Sequence, residues 1–107
     1  MTLEQLLTLV DASKPNEQSD EVKISWIRDV EGRVLSEIHG IPMDKISLPN
    51  SDGDILTLPE TYARVYVLYI AAMIEFFSKN YTGYTHLARE FESALAMYAR
   101  YFIRTRT

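Results

Sequence analysis

An all-α fold, a compact four-helix bundle with a long irregular segment between its second and third helices, is predicted for these 107 residues by three observations. Apolar side chains recur at helical spacing in four separate stretches. Three of those stretches open on a residue able to cap a helix: Thr2, Ser19 or Thr57. Residues that break helices, Gly40, Pro42, Pro49 and Gly53, gather between positions 40 and 58. With 47% of residues apolar and 24% charged, the chain has enough apolar material for a core, and its length suits a single domain over residues 1–107.

The first helix is expected from about Thr2 to Ala12. Thr2 and Gln5 have the spacing of a capping box, and Leu3, Leu6, Leu7 and Val10 share one helical face. Lys14-Pro15-Asn16 ends it, because proline has no amide hydrogen to donate and disfavours helical geometry in the residue before it. Ser19-Asp20-Glu21 then supplies a cap oxygen and two carboxylates at the positive end of the second helix dipole. In that helix Ile24, Ile27, Val34 and Ile38 form the apolar stripe, widened by Trp26 and Val30. Asp29, Arg33 and Glu37 form a charge ladder at i, i+4, and the helix ends near Gly40.

Between Gly40 and Leu58 the turn-forming run Asn50-Ser51-Asp52-Gly53-Asp54 is flanked by short apolar stretches at Ile46 to Leu48 and Ile55 to Leu58. That pattern fits either a small β-hairpin or a flexible loop. Thr57 and Glu60 again have capping-box spacing, with Pro59 in the first turn, so a third helix is expected from there to about Lys79. It is apolar in nearly every direction, with Tyr62, Tyr66, Tyr69 and Met73 on one side and Val67, Ile70, Ile74 and Phe77 on another. Such a helix must be covered all round. Asn80 to Gly83 interrupts the run, after which Tyr84, Leu87, Phe91, Leu95, Tyr98 and Phe102 mark a fourth helix.

Several function classes lose ground on composition. A formal net charge of −4 disfavours a dedicated nucleic-acid binder, which ordinarily presents a basic field to phosphates. No cysteine is present, so there is no disulfide, thiol nucleophile or thiolate metal site, in keeping with a reducing compartment. The first residues lack the basic and apolar regions of a secretory signal. The longest uncharged run, Val65 to Ile74, is too short for about 30 Å of hydrocarbon and reads as a buried helix rather than a membrane span.

Chemical signatures are also missing. His86 and Glu90 are the one His-carboxylate pair at i, i+4, and no third ligand accompanies them, so they read as a solvated pair rather than a metal site. Asn50, Asp52 and Asp54 alternate as the first ligands of a calcium loop would, but Ile55 and Thr61 stand where that loop needs glycine and glutamate. There is no glycine-rich phosphate loop and no nucleophile elbow. The expectation is therefore a protein that binds other proteins, with no catalytic residue, cofactor or metal.

Two groups of residues are candidates for that binding. Tyr62, Tyr66, Tyr69 and Met73 could fill the core or anchor a subunit contact, since tyrosine serves both roles. A small bundle has few elements to cover an all-round apolar helix, which favours a contact with another copy of the chain. Arg100, Arg104 and Arg106 either form a solvated helix end or touch an acidic partner or DNA.

Taken in order, the segments are a short leucine-rich helix, Lys14-Pro15-Asn16, Ser19-Asp20-Glu21-Val22-Lys23 leading to Trp26-Ile27, and a Pro/Asp/Gly-rich middle. Leu58-Pro59 follows, with Tyr62, Val67, Leu68, Tyr69, Ala71, Ile74, Glu75 and Phe76, then Tyr84 and Phe91. Over about Leu3 to Phe102 this order resembles the head-tail connector (adaptor) proteins of tailed bacteriophages and prophages. The resemblance implies a structural protein of the phage neck, present in the host cytoplasm during assembly and without a reaction of its own. Its copies would form a ring, usually matched to the twelve-fold portal, that binds the portal on one rim and a further connector or tail-completion protein on the other. DNA would cross the lumen transiently, and no membrane is involved. On this reading Arg100, Arg104 and Arg106 are portal or DNA-facing contacts. The competing expectations are a regulatory module that uses the aromatic third helix as its partner surface, and a small enzyme or metal protein on a bundle core.

Overall fold

The first turn of the chain forms as its capping box predicts. In a computed structural model that describes residues 1–106, the Thr2 hydroxyl accepts from the Gln5 amide at 3.2 Å and the Gln5 side chain accepts from the Thr2 amide at 2.9 Å. Helix α1 (Leu3–Ser13) follows, burying Leu3, Leu6, Leu7 and Val10. Helix α2 (Asp20–Arg33) is capped by Ser19, whose hydroxyl accepts from the Val22 amide at 3.2 Å. It continues into a π-helical turn (Val34–Ile38) in which the His39 amide reaches back five residues to the Val34 carbonyl. Gly40, at φ +71°, then turns the chain out of the helix, in a left-handed region that costs glycine little.

The middle segment is irregular, and among the described residues it contains no strand and no hairpin. Its apolar stretches do not pair with each other because the segment is bound to α1 and α2 instead. Asp54 and Asp52 carbonyls accept from the Leu3 and Glu4 amides at 2.9 and 3.1 Å, and the Leu56 amide donates to the Met1 carbonyl at 3.0 Å. The amides at a helix start have no partner within the helix, so the 52–54 turn serves as their external cap. Leu56 and Leu58 are buried by this arrangement while Ile55 points outward.

Helix α3 (Arg64–Phe77) starts later than its capping spacing suggests, after a 3-10 turn (Glu60–Tyr62), and no side chain caps it. The expected Thr57–Glu60 box does not form because Glu31 of α2 takes the Thr57 amide and hydroxyl. At its other end the Lys79 and Asn80 amides return to the Phe76 and Glu75 carbonyls at 3.0 and 2.9 Å, a Schellman ending with Lys79 at φ +63° where glycine is usual. Helix α4 (Tyr81–Thr105) then begins three residues before Tyr84, capped by the Asn80 side chain on the Gly83 amide at 3.1 Å.

The bundle is built around α3, against which α4, α2 and α1 all pack. One continuous core runs from Leu3, Leu6 and Val10 through Ile27, Val30 and Val34 to Val65, Ile70, Phe91 and Leu95. Each such aliphatic side chain contributes about 1.5–3 kcal/mol on burial. The chain thus covers most of the all-round apolar helix itself: Val65, Tyr66, Leu68, Ile70, Ala71, Ala72 and Ile74 are buried. Among the described residues no helix is long and apolar enough to cross a membrane.

Candidate interaction surface

Tyr66 must be removed from the candidate contact residues. It is 0% exposed, its hydroxyl donates to the Glu31 carboxylate, and it accepts from the Leu58 amide at 3.0 Å. Burial, together with the adjacent Glu31 carboxylate, pushes its phenol well above the usual tyrosine range, so it serves as an uncharged internal donor. Tyr62, Tyr69 and Met73 are half-buried rather than open. Tyr62 packs on Tyr98 and Tyr101 with centroids 5.3 and 5.1 Å away, and Tyr69 packs on Phe91 at 5.1 Å. The sequence places these side chains on one stripe of the third helix; Tyr62 falls instead in the 3-10 turn before α3, and α4 covers Tyr62 and Tyr69.

Glu31 is 2% exposed and collects three donors, the Thr57 amide at 3.2 Å, the Thr57 hydroxyl at 2.6 Å and the Tyr66 hydroxyl. It borders a cavity of about 390 Å³ lined also by Leu48, Pro49, Asn50, Asp54 and Thr57. Its carboxylate is engaged by those three donors, and the Asp54 carboxylate accepts the Asn50 and Ser51 amides at 2.8 and 3.0 Å, which is the capped polar turn its sequence suggests. Glu90, the partner of His86 in the i, i+4 pair, is taken by Arg64 at 3.0 Å. Among the described residues no three His, Cys, Asp or Glu side chains gather as metal ligands would.

What the fold leaves open is surface of two kinds. At the α3–α4 corner Phe77 and Tyr81 are 59% and 57% exposed, and Phe76 stands between Phe77, Tyr81 and Tyr84 with centroids 5.2–5.8 Å apart. Trp26 backs this corner, its ring stacked on Phe77 at 5.8 Å. The other surface is the outer face of α4. Its inner face is fixed by Phe91, Ala94, Leu95 and Tyr98. At 100° per residue, Arg89, Ser93, Met97, Arg100 and Arg104 fall on the opposite side, and all five are exposed.

Electrostatics separate that face from the rest of the molecule. The two carboxylates of α4 are both engaged by arginines of other helices, Glu92 by Arg33 at 2.7 and 2.9 Å and Glu90 by Arg64. Among the described residues no carboxylate pairs with Arg89, Arg100, Arg104 or Arg106. Arg33 is held firmly protonated by Glu92 and Glu37, despite partial burial. Residues 1–60 carry 5 basic and 12 acidic side chains, whereas residues 61–107 carry 6 basic and 3 acidic ones. The overall charge of −4 is thus the sum of an acidic first part and a basic second part.

Arg100 and Arg104 lie on one open helix face, with Arg106 just beyond the helix end. Arg89 belongs with them although it sits 11 residues earlier, a spacing that returns to the same side of an α-helix. Comparing the charge of the two halves of the chain is the signal that finds it. No protein-family model, no curated protein and no solved structure matches this chain.

Proposed function

We propose that this chain is a head-tail connector subunit of a tailed phage or prophage, one of a ring of copies seated between the portal and the tail with DNA passing through the lumen. The reading assigns the protein a structural role in the virion neck and no reaction. The identity of its neighbours comes from the sequence resemblance, carried by the order of segments from Leu3 to Phe102.

The structural observation that supports it is the presence of two exposed faces at separate ends of the packed α3–α4 pair. The aromatic corner at Phe76, Phe77 and Tyr81 lies about 30 Å along α4 from Arg100 and Arg104, by the rise of the helix. A subunit that touches different neighbours on different sides needs such separate surfaces, and a repeated heterologous contact closes into a ring when its rotation permits. The regulatory-module alternative keeps only the exposed Phe76–Phe77 end of α3 as its partner surface, since Tyr66 is buried and Tyr69 is half-buried.

The test is capture by the portal protein encoded beside this chain. Purified portal rings mixed with excess protein should retain it in a fixed ratio, visible as an added layer by electron microscopy. Portal rings that emerge bare at saturating protein refute the assignment.

A further inference from the structure

We propose that the arginine face of α4, formed by Arg89, Arg100 and Arg104 around Met97, docks head to tail on a second copy of the chain. Its counterpart is the acidic corner where Glu4 of α1 meets Asp52. The inference extends the ring reading by naming the two faces of the subunit contact, and it rests on charge complementarity within the molecule.

The two faces have matching properties. On one side, the three arginines span about 22 Å of helix, are exposed and have no carboxylate partner among the described residues. Met97, 55% exposed, supplies an apolar centre between them. On the other side, the Glu4 amide donates to the Asp52 carbonyl at 3.1 Å, which brings two exposed carboxylates to one corner, and among the described residues no lysine or arginine pairs with either. The second copy is the occupant the charges select, since residues 1–60 carry an acidic excess and residues 61–107 a basic one.

Because α1 and α4 are both laid on α3, the basic face and the acidic corner belong to different elements of one packed bundle. The contact is heterologous: each copy gives its α4 to one neighbour and its α1 corner to the next. Placing the arginines in subunit contacts also leaves the rest of an assembled ring acidic, which suits a channel that DNA must cross without being held. Opposed charges at exposed sites attract over a Debye length, about 14 Å in 50 mM salt and about 4 Å in 500 mM, so the association is salt-sensitive.

Sedimentation of the full chain up to roughly 1 mM at those two salt concentrations is the first measurement, with self-association at low salt weakened at least tenfold at high salt. Charge reversal follows. Arg100→Glu with Arg104→Glu gives one variant, and Glu4→Arg with Asp52→Arg gives the other. Each alone should be monomeric under conditions where the native chain associates, and an equimolar mixture should associate again, since both junctions are then complementary. Helix content and Trp26 fluorescence report whether each variant folds, and Arg100→Gln with Arg104→Gln is the milder version with the same expected direction. A native chain that stays monomeric at low salt, a reversed variant that associates like the native, or a folded mixture that fails to associate overturns the proposal. So does retention of duplex DNA by the native chain, lost in the arginine variant, without self-association. Portal capture is a separate readout, so a head-to-tail contact on a chain that portal rings ignore upholds this inference and refutes the connector reading.

Discussion

Replacing Glu31 by alanine removes an acceptor that three donors share, and the structure allows its cost to be worked out. The Tyr66 hydroxyl is fully buried and, once Glu31 is gone, keeps only its bond from the Leu58 amide, in which it is the acceptor. The Thr57 amide and hydroxyl are half-buried and lose their partner too. A buried donor left unsatisfied costs about 1–3 kcal/mol. The opposing effect is relief from keeping a carboxylate away from water, and replacing a whole buried polar group by apolar ones can be neutral on that account. Here the donors stay behind, so the loss prevails, and Glu31→Ala should destabilise the fold by about 3–5 kcal/mol. That is a large part of the 5–15 kcal/mol available to a domain of this size. Urea unfolding followed by helix ellipticity and Trp26 fluorescence measures it. Tyr66→Phe in a double-mutant cycle with Glu31→Gln should show a coupling of about 1–2 kcal/mol. A loss below about 1 kcal/mol in Glu31→Ala would refute the view that this carboxylate pins the start of α3 to α2.

Lys79→Gly should stabilise the chain by about 0.5–1 kcal/mol, because Lys79 holds a left-handed conformation that glycine adopts without steric cost; a thermal melt reads the gain. Burial holds the His39 imidazole below its ordinary pKa of 6.5, with the ring against Tyr98 and stacked on Phe102 at 4.1 Å. The unfolded chain therefore takes up the proton first, so the stability this site contributes is complete above pH 6.5 and lost as pH falls below it. In denaturation curves at successive pH values, His39→Gln should flatten that dependence. Lys23 is 3% exposed and its ammonium meets Asp11 at 2.6 Å, so Lys23→Ala should cost about 1–2 kcal/mol in urea unfolding through lost packing and pairing between α1 and α2. In the native chain Lys23 holds the Asp11 carboxyl below its ordinary 3.8, so the pair contributes above that pH and is lost as acid protonates Asp11.

Much of the fold is legible in the residues because its rules are local. Thr2 with Gln5 and Ser19 with Val22 cap helices through neighbours a few positions away, and the period of Leu3, Leu6 and Val10 needs only the geometry of one helix. The same logic misleads at Thr57, where capping-box spacing with Glu60 is overruled by Glu31, 26 residues distant. It also leaves the 40–58 segment undecided between hairpin and loop, because the partner of that segment is the start of α1 and not the segment itself.

The interaction surface divides in the same way. Residue order and periodicity alone require that an apolar third helix be covered and put a cluster of arginines near the end of the fourth. That α4 and α2 do most of the covering, that Tyr66 is an internal hydrogen-bond donor, and that Arg89 joins Arg100 and Arg104 on a face with no carboxylate partner among the described residues all depend on how the helices pack. Periodicity states which side chains share a side of a helix. What lies against that side depends on contacts between residues far apart in the chain, and those exist only once the helices are packed.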